Sequence, residues 1–427
     1  MRIVKIFFPA GIFLLFVFVS FAFGQTANPQ HQTAAAMQSS PGASMHWVGT
    51  WSASPALGNS RAPKVAKQTL REIIHTTIGG KALRIRLSNL FGTTSLAVGP
   101  VRVAVSNTGS NVVTASDHAI TFSGQPTIAI PPGAMVLSDP VEMNVPEHTD
   151  LAISLFVPGE MTEMTGHWSA QQISFISEAG NFVSAPALPN AMQISSWILL
   201  SGVDVLAPAA DYAIVTLGDS ITDGSYATTN MNHRWPDILE ARLAAAGKHA
   251  AVLNAGIGGN RILHDGVGQS TVFGRSALER FDRDVLSEPG VKYLIVLEGI
   301  NDIGHGQDTD GPGHEVVSAP EIIAGLRQII SRAHEKGLTV IGCTLTPFAV
   351  AKAPGYYTPE KDVKRHAVND WIRSSGKFDA VVDFDKATQD PQHPGQYLPA
   401  YDSGDHLHPG DAGYKAMGEA VDLSVFK

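Results

Sequence analysis

Ser220 is the residue of this chain that points most directly to chemistry, because of the segments on either side of it. The stretch Gly218-Asp219-Ser220-Ile221-Thr222 follows an apolar run, Tyr212 to Leu217, with the β-branched content of a buried strand. A turn and a predicted helix from Trp235 to Ala245 come next. A serine at such a junction lies at the carboxyl edge of a sheet, where α/β folds bind ligands. Ser220 is therefore a candidate nucleophile, and the alternative is a serine that caps a helix.

A general base for Ser220 is available near the C-terminus, in Asp405-His406-Leu407-His408. His408 can take the serine proton, and Asp405 can hold the imidazole in the required tautomer. Their i, i+3 spacing places both side chains on the same side of a turn. Two alternatives stay open: Asp405, His406 and His408 as metal ligands, or as ordinary polar loop residues. The sequence contains no further His, Asp or Glu group with clear ligand spacing, so we predict no metal and no other cofactor.

Donors for a developing oxyanion are expected after the next two predicted strands, Ala250–Leu253 and Tyr293–Leu297. The first is followed by Asn254-Ala255-Gly256-Ile257-Gly258-Gly259-Asn260 and the second by Glu298-Gly299-Ile300-Asn301-Asp302. A glycine brings its backbone N–H close to a substrate, and an asparagine amide donates without a charge. Because the ends of parallel strands share one edge of a sheet, these groups and Ser220 are predicted to converge. The alternatives are a loop turn at the glycines and a helix cap at Asn301.

Four segments, around Ser220, Gly258-Gly259, Asn301 and Asp405-His406-Leu407-His408, follow one another in the chain. In this order they resemble the four sequence blocks of the SGNH (GDSL-type) serine hydrolases and esterases, and the resemblance covers roughly residues 212–427. The resemblance implies a flavodoxin-like three-layer α/β/α domain. It also implies that Ser220 is the nucleophile and an oxyanion donor through its own N–H, that Asn301 donates from its side chain, and that Asp405 holds His408 as the base. Gly259 is the implied backbone donor, but the adjacent Gly258 matches that block equally well.

A weaker resemblance extends over most of the mature chain. Gly49-Thr50-Trp51 and Ser88-Asn89-Leu90-Phe91-Gly92 are similar to a secreted bacterial subgroup of the family described as XynE-like. The G-x-S-x-G elbow of ordinary α/β-hydrolases is absent around Ser220, which argues against that fold.

The pattern of apolar residues, which predicts the elements that position these side chains, changes along the chain. Residues 46–208 alternate apolar and polar side chains in short runs, which predicts a β-sandwich or jelly-roll-like accessory domain. Residues 209–427 alternate apolar strands with helices, which predicts a parallel sheet covered on both faces. The segment Trp47–Trp51 fits either part. We expect its position to depend on packing that the sequence does not specify.

The N-terminal residues and the composition indicate where the protein is located and which classes of partner it is expected to lack. Residues 1–24 combine Arg2 and Lys5 with an apolar run and a small-residue end, which predicts a signal peptide and a secreted or periplasmic protein; a retained anchor is the alternative. Residues 25–45 are predicted to be a disordered linker. A net charge of -9 without a basic cluster argues against a nucleic-acid or membrane-surface partner. The single cysteine, Cys343, is predicted to be a buried thiol on a core strand.

The sequence therefore predicts a secreted serine esterase acting on short acyl or acetyl esters. The resemblance admits acetylated polysaccharides, lipids, lysophospholipids and aryl esters as substrates, so a lysophospholipase or lipase is one alternative. Another is a polysaccharide-binding protein with a weakly active hydrolase domain, in which Trp47, Trp51, Trp168 and Trp197 stack on sugar rings. Trp235, Arg261 and His264 follow the first two blocks and are candidate pocket residues, with core or surface packing as their alternative.

Overall fold

The computed structural model describes residues 44–306 and 314–427. The predicted signal peptide, 1–24, and nearly all of the predicted linker, 25–45, lie outside the described residues. The first described strand begins at Met45. Across the ranges that the structure describes, no helix is long and apolar enough to cross a membrane.

The β-rich segment, residues 45–208, contains sixteen strands. They are β1 (Met45–Ser52), β2 (Ala56–Leu57), β3 (Ala66–His75), β4 (Gly80–Ser88), β5 (Leu96–Val98), β6 (Val101–Val105), β7 (His118–Ile120), β8 (Ile128–Ile130), β9 (Met135–Leu137), β10 (Val141–Val145), β11 (Asp150–Glu160), β12 (Thr165–His167), β13 (Ser174–Ala179), β14 (Met192–Ile194), β15 (Trp197–Ile198) and β16 (Leu200–Pro208). The segment also has a 3₁₀ turn, Thr114–Ser116.

Two antiparallel sheets account for most of these strands. One has the order β1-β16-β4-β10, with β9 also paired to β4, and the other has the order β14-β13-β3-β11-β6-β7. Buried residues of both sheets, including Ile74, Leu83 and Val203, join one hydrophobic cluster, as expected of two sheets packed face to face. Burial alternates along Val141–Val145, where every second side chain points inward. The all-β region predicted before the α/β part is confirmed.

The α/β segment, residues 209–427, follows after a short connection. Its strands are β17 (Tyr212–Gly218), β18 (Ala250–Gly256), β19 (Val291–Leu297), β20 (Thr339–Cys343), β21 (Ala380–Val382), β22 (Gln389–Asp390) and β23 (His393–Tyr397). Its helices are α1 (Ser220–Asp223), α2 (Trp235–Ala245), α3 (Ala277–Phe281), α4 (Ile300–His305), α5 (Ala319–Glu335), α6 (Pro359–Ser374), α7 (Phe384–Thr388) and α8 (Asp411–Ala420). A π-helical turn, Asp282–Leu286, continues α3, and 3₁₀ turns cover Gly268–Phe273 and Leu423–Val425.

The central sheet of this segment is parallel, with the order β18-β17-β19-β20-β21. This is the flavodoxin-like strand order. From β17 the chain adds β18 on one side of the sheet and then β19, β20 and β21 on the other side, so the strand order reverses at β17. All seven residues of β17 are buried, which requires cover on both faces. The predicted α/β fold is confirmed, and ligands of such folds bind beyond the carboxyl end of the strands at this reversal point.

Local sequence explains the helices that flank the sheet. Helix α5 begins with a capping box, in which Ser318 and Glu321 each accept from the other's backbone N–H, and it buries Ile322, Leu326 and Ile329 on one face. The predicted helix from Trp235 to Ala245 has the bounds of α2. Cys343 is free and buried on β20, as predicted, and burial raises the pKa of its thiol.

The segment Trp47–Trp51 contacts both parts of the chain. It lies in β1, which pairs with β16 in the sandwich, and the N–H of Gly49 donates to Pro289 O of the α/β segment over 3.0 Å. Arg86 of the β-rich segment also forms two hydrogen bonds with Glu288, at 3.0 and 2.5 Å, where both side chains are buried. The described residues belong to one compact unit, and the division of residues 46–427 into separate domains at residue 208 stays a prediction.

Candidate active site

Ser220 is the first residue of α1, directly after the central strand β17. The Asp219 side chain caps this short helix by accepting the N–H of Ile221 over 2.8 Å. Gly218 makes the tight turn possible, because a Cβ there would lie 2.2 Å from Thr222 Oγ1. The serine hydroxyl is therefore carried on a backbone fixed on both sides, with 8% of the residue exposed.

His408 and Asp405 lie beside this serine. The Ser220 hydroxyl donates to His408 Nε2 over 2.8 Å, and His408 Nδ1 donates to Asp405 Oδ2 over 2.6 Å. The other carboxylate oxygen, Asp405 Oδ1, accepts the backbone N–H groups of Leu407 and His408, both at 2.9 Å. Burial raises the pKa of Asp405, but the hydrogen bond and charge of His408, helped by these N–H groups, hold that pKa well below its usual range. This is the geometry of a nucleophile, a base and an orienting carboxylate.

The two glycines after β18 have different hydrogen-bonding states. The N–H of Gly258 donates to Asp223 Oδ2 over 3.0 Å, so it is engaged. In the described part of the chain, the N–H groups of Gly259 and Ser220 have no such acceptor. Gly259 has φ +77°, and a Cβ there would lie 2.4 Å from the Phe273 ring, so this position requires glycine. Gly259, rather than Gly258, has a free backbone donor.

Asn301, at the start of α4, has its amide orientation fixed by two partners. Tyr356 donates its hydroxyl to Asn301 Oδ1 over 2.7 Å, and Asn301 Nδ2 donates one hydrogen to Asn260 O over 2.9 Å. The amide nitrogen carries two hydrogens, so the second one is available to a ligand. Tyr356 has no motif spacing to the other site residues, and the sequence alone gave no signal for its role.

Arg280 joins the backbone segments that carry these donors. The guanidinium is fully buried and donates to Gly218 O at 3.1 Å, Ala255 O at 2.7 Å and Asn260 Oδ1 at 2.9 Å. A further hydrogen bond, of 3.0 Å, reaches Ser54 Oγ in the β-rich segment. One side chain thus ties the residues before Ser220 to those after Gly259.

Asp302 holds the loop that leads away from Asn260. Its carboxylate accepts the N–H groups of Ile262 at 2.7 Å and Leu263 at 3.1 Å. Burial, only partly opposed by these N–H groups, raises the pKa of Asp302 to about 6. The third sequence block therefore contributes a loop anchor as well as the amide of Asn301.

The three candidate pocket residues occupy different environments. Trp235 was a pocket candidate, but it is wholly buried and packs edge-on against Phe384 with ring centroids 5.3 Å apart, so it belongs to the core. Arg261 borders a cavity and pairs with Glu315 Oε2 at 2.8 Å. His264 does not line that cavity; its Nδ1 lies 4.0 Å from Glu315 Oε1.

That cavity has a volume of about 430 Å³ and lies next to the loop that contains Gly258, Gly259 and Asn260. Phe273, which contacts Gly259, is one of its walls. The other lining residues are Arg261, Gly266, Val267, Gln269, Ser270, His305 and His314.

The histidines of the C-terminal block form two separate pairs. His406 Nδ1 contacts Asp402 Oδ2 at 2.5 Å, whereas His408 Nδ1 contacts Asp405. Over residues 44–306 and 314–427, the structure contains no group of three His, Cys, Asp or Glu side chains arranged to hold a metal ion.

The tryptophans considered for sugar stacking are built into the β-rich segment. Trp51 and Trp197 are buried and pack edge-to-face with centroids 4.9 Å apart. Trp168 donates its indole N–H to Ala56 O, and Arg84 covers the Trp47 ring at 4.3 Å. Stacking on a sugar needs an open ring face, which the buried pair lacks.

The part of the chain that carries these residues matches a known protein family. Residues 216–416 match the GDSL-like lipase/acylhydrolase family. No curated protein matches the chain.

Three solved structures are similar to about half of the chain. A lipase/acylhydrolase from Enterococcus faecalis shares 22% identity (49% of this chain, 92% of that chain, TM-score 0.38). An acetylxylan esterase from Geobacillus stearothermophilus shares 21% (49% and 91%, TM-score 0.36). A GDSL-like lipase from Bacteroides thetaiotaomicron shares 16% (50% and 87%, TM-score 0.36). The family match identifies residues 216–416 as a GDSL-like lipase/acylhydrolase domain, so this part of the chain is a hydrolytic esterase.

Proposed function

We propose that this esterase cleaves carboxylic esters through a covalent acyl-enzyme on Ser220, with His408 as the base and Asp405 as its orienting partner. The observation that carries the proposal is the continuous hydrogen-bond chain from Ser220 Oγ through His408 to Asp405, at 2.8 and 2.6 Å. Such a chain activates a hydroxyl that is otherwise a weak nucleophile.

The positions of these groups support the following reaction. Ser220 Oγ attacks the ester carbonyl while its proton moves to His408 Nε2, and Asp405 stabilises the imidazolium. The oxyanion of the tetrahedral intermediate accepts the N–H groups of Ser220 and Gly259 and the free amide hydrogen of Asn301. His408 then gives its proton to the leaving alcohol. Water, deprotonated by His408, attacks the acyl group and releases the acid and Ser220.

Short acyl groups are the proposed substrates. The walls of the cavity beside Gly259 combine apolar surface such as the Phe273 ring with the polar side chains of Arg261 and His305. These polar groups interrupt the continuous apolar surface that a long acyl chain requires. The lining is also close to neutral, because Arg261 pairs with Glu315 and burial lowers the pKa of His305 to about 4. A small uncharged ester such as an acetyl ester, including one on a polysaccharide, suits these walls.

Hydrolysis of p-nitrophenyl acetate by wild type and Ser220→Ala tests the mechanism. We expect the variant to lose at least three decades of kcat, since the nucleophile is gone. Undiminished turnover by Ser220→Ala would refute the proposal. A metal-dependent reaction would instead show loss with a chelator and recovery with a divalent ion.

Acyl preference separates the esterase from the lipase alternative. We expect kcat/KM to fall steadily from acetyl to dodecanoyl esters of p-nitrophenol, and acetate release from acetylated xylan identifies a polysaccharide substrate. A rise toward long chains favours a lipase or lysophospholipase. Retention of inactive full-length Ser220→Ala on insoluble polysaccharide tests the binding-protein alternative without separating the two segments.

Export is part of the proposal and is supported by the apolar run and small-residue end of residues 1–24. Expression in a bacterial host followed by N-terminal sequencing of the exported protein is expected to give Gln25 as the first residue. An exported or membrane fraction that still begins at Met1 contradicts cleavage.

A further inference from the structure

A buried histidine of the β-rich segment reaches the α/β segment beneath the proposed oxyanion hole. His167, the last residue of β12, is 4% exposed. Its Nδ1 lies 3.1 Å from Ser54 O, and its Nε2 lies 2.9 Å from Asp223 Oδ1. Because both ring nitrogens face oxygen acceptors, both can donate only when the imidazole is protonated. Burial lowers the pKa of His167, but the charge and hydrogen bond of Asp223, together with backbone hydrogen bonds, make the net direction upward.

Asp223 connects this histidine to the donor loop. It ends α1, whose first residue is Ser220, and it is 3% exposed. One carboxylate oxygen contacts His167 Nε2, and the other accepts the N–H of Gly258 over 3.0 Å. Both oxygens of one buried group are thus committed to fixed partners on different segments.

Gly258 is the residue immediately before the free backbone donor. With its N–H held by Asp223, the peptide unit that leads into Gly259 has a fixed starting direction. On the other side, the Phe273 ring lies so close that a Cβ at Gly259 would be 2.4 Å from it, which limits movement of Gly259 in that direction. Oxyanion donors act only when they are aimed in advance, so displacement of this peptide weakens transition-state binding more than substrate binding.

We propose that His167 is a positioning residue for the oxyanion hole, acting through Asp223 on the peptide of Gly258 and Gly259. This role rests on the proposed function of Ser220 and Gly259. The β-rich segment then contributes to the active site, because it supplies His167. This residue orients the backbone N–H of Gly259, which belongs to the α/β segment.

Two uncharged substitutions separate the two hydrogen bonds of His167. In His167→Asn the amide nitrogen takes the place of Nδ1 and reaches Ser54 O, but it falls short of Asp223. In His167→Gln it takes the place of Nε2 and reaches Asp223. Since neither variant carries a charge at this position, their difference reports the bond to Asp223. His75→Asn is the matched control, because His75 lines the same cavity as His167 but pairs with Asp150.

We measure kcat and KM for p-nitrophenyl acetate, with kcat normalised to the active sites titrated with a fluorophosphonate. We also measure the inhibition constant of phenylboronic acid, which forms a tetrahedral adduct on the serine. For His167→Asn we expect kcat to fall by about 10–100-fold and boronate binding to weaken by a similar factor, with KM within twofold. His167→Gln is expected to stay within about threefold of wild type, and His75→Asn within twofold.

Equal losses in the Asn and Gln variants, or a His167→Asn enzyme with wild-type kcat per titrated site, overturn the positioning role. If His167→Asn does not fold, Asp223→Ala removes the acceptor of Gly258 directly, and unchanged kcat in that variant has the same meaning. Wild-type protein that neither reacts with the fluorophosphonate nor cleaves the ester rejects the proposed function, and the positioning role with it. An active wild type with an insensitive His167 rejects the positioning role alone.

Discussion

The hydroxyl of Tyr356 donates to Oδ1 of Asn301 over 2.7 Å, with both side chains buried. This bond decides which way the amide faces, because an oxygen that accepts from Tyr356 leaves the nitrogen to donate. The tyrosine therefore orients the amide that we place in the proposed oxyanion hole.

Removal of this hydroxyl is expected to lower turnover. In Tyr356→Phe a buried acceptor loses its partner, which costs about 1–3 kcal/mol, and part of that cost appears as a kcat reduced by roughly tenfold. KM changes little, since the amide serves the transition state. Tyr357→Phe is the control, because its ring packs on Phe348 and is not bonded to Asn301. Equal activity of both variants would show that Asn301 is oriented without Tyr356.

Loss of the amide itself has a larger effect. Asn301→Ala deletes one oxyanion donor, and a deletion of this kind costs about 2.7–4 kcal/mol, or roughly two to three decades of kcat. Steady-state kinetics on p-nitrophenyl acetate measures it. A variant with raised KM and normal kcat would instead place Asn301 in ground-state binding.

Asp405→Asn tests the orienting role of the carboxylate. The substituted amide can present its N–H to His408 Nδ1 and favour the wrong tautomer, so we expect kcat to fall by roughly 10³–10⁴-fold near neutral pH. Asp402→Asn is the matched control, since Asp402 pairs with His406 in the same loop. Similar losses in both variants would point to loop folding rather than to His408.

Glu240 makes stability depend on pH. Burial, and to a lesser extent Asp237 and Glu147, raises its pKa to about 8, while His148 Nδ1 lies 3.2 Å away. Between about pH 4.5 and pH 8 the folded state binds more protons at this site than the unfolded state, so its contribution to stability falls as pH rises.

Glu240→Gln stays neutral and removes that dependence. We expect its Tm to exceed that of wild type by about 2 °C or more at pH 8.5, with the difference shrinking toward pH 5. Thermal melts at the two pH values measure this. A variant that is less stable than wild type at pH 8.5 contradicts a raised pKa for Glu240.

The sequence alone was sufficient to predict features that depend on residues close together in the chain. The five parallel strands each carry an apolar run, and Asp405 and His408 are three residues apart in one loop, so both could be predicted. Arg280, Tyr356 and His167 were not predicted, because each reaches the site from an element distant in sequence. Their partners are mostly backbone atoms or single polar groups that no spacing pattern marks.

The choice between pocket and core for Trp235 required the structure for a related physical reason. Position after a motif places a residue near a site in sequence, but helix α2 turns its first side chain inward, against Phe384. The choice between Gly258 and Gly259 also required the structure, since it depends on which N–H meets Asp223.

The first described strand has a consequence for the order of folding during synthesis. Of the described strands, β1 leaves the ribosome first, but its neighbour β16 is the last strand of the β-rich segment, and Gly49 in β1 also bonds to Pro289 of the α/β segment. The early strand must therefore wait, unpaired, until both later stretches have emerged. Pairing over such sequence separation is slow and leaves strand edges exposed to other chains. Chaperone demand and losses in recombinant yield are expected to centre on β1.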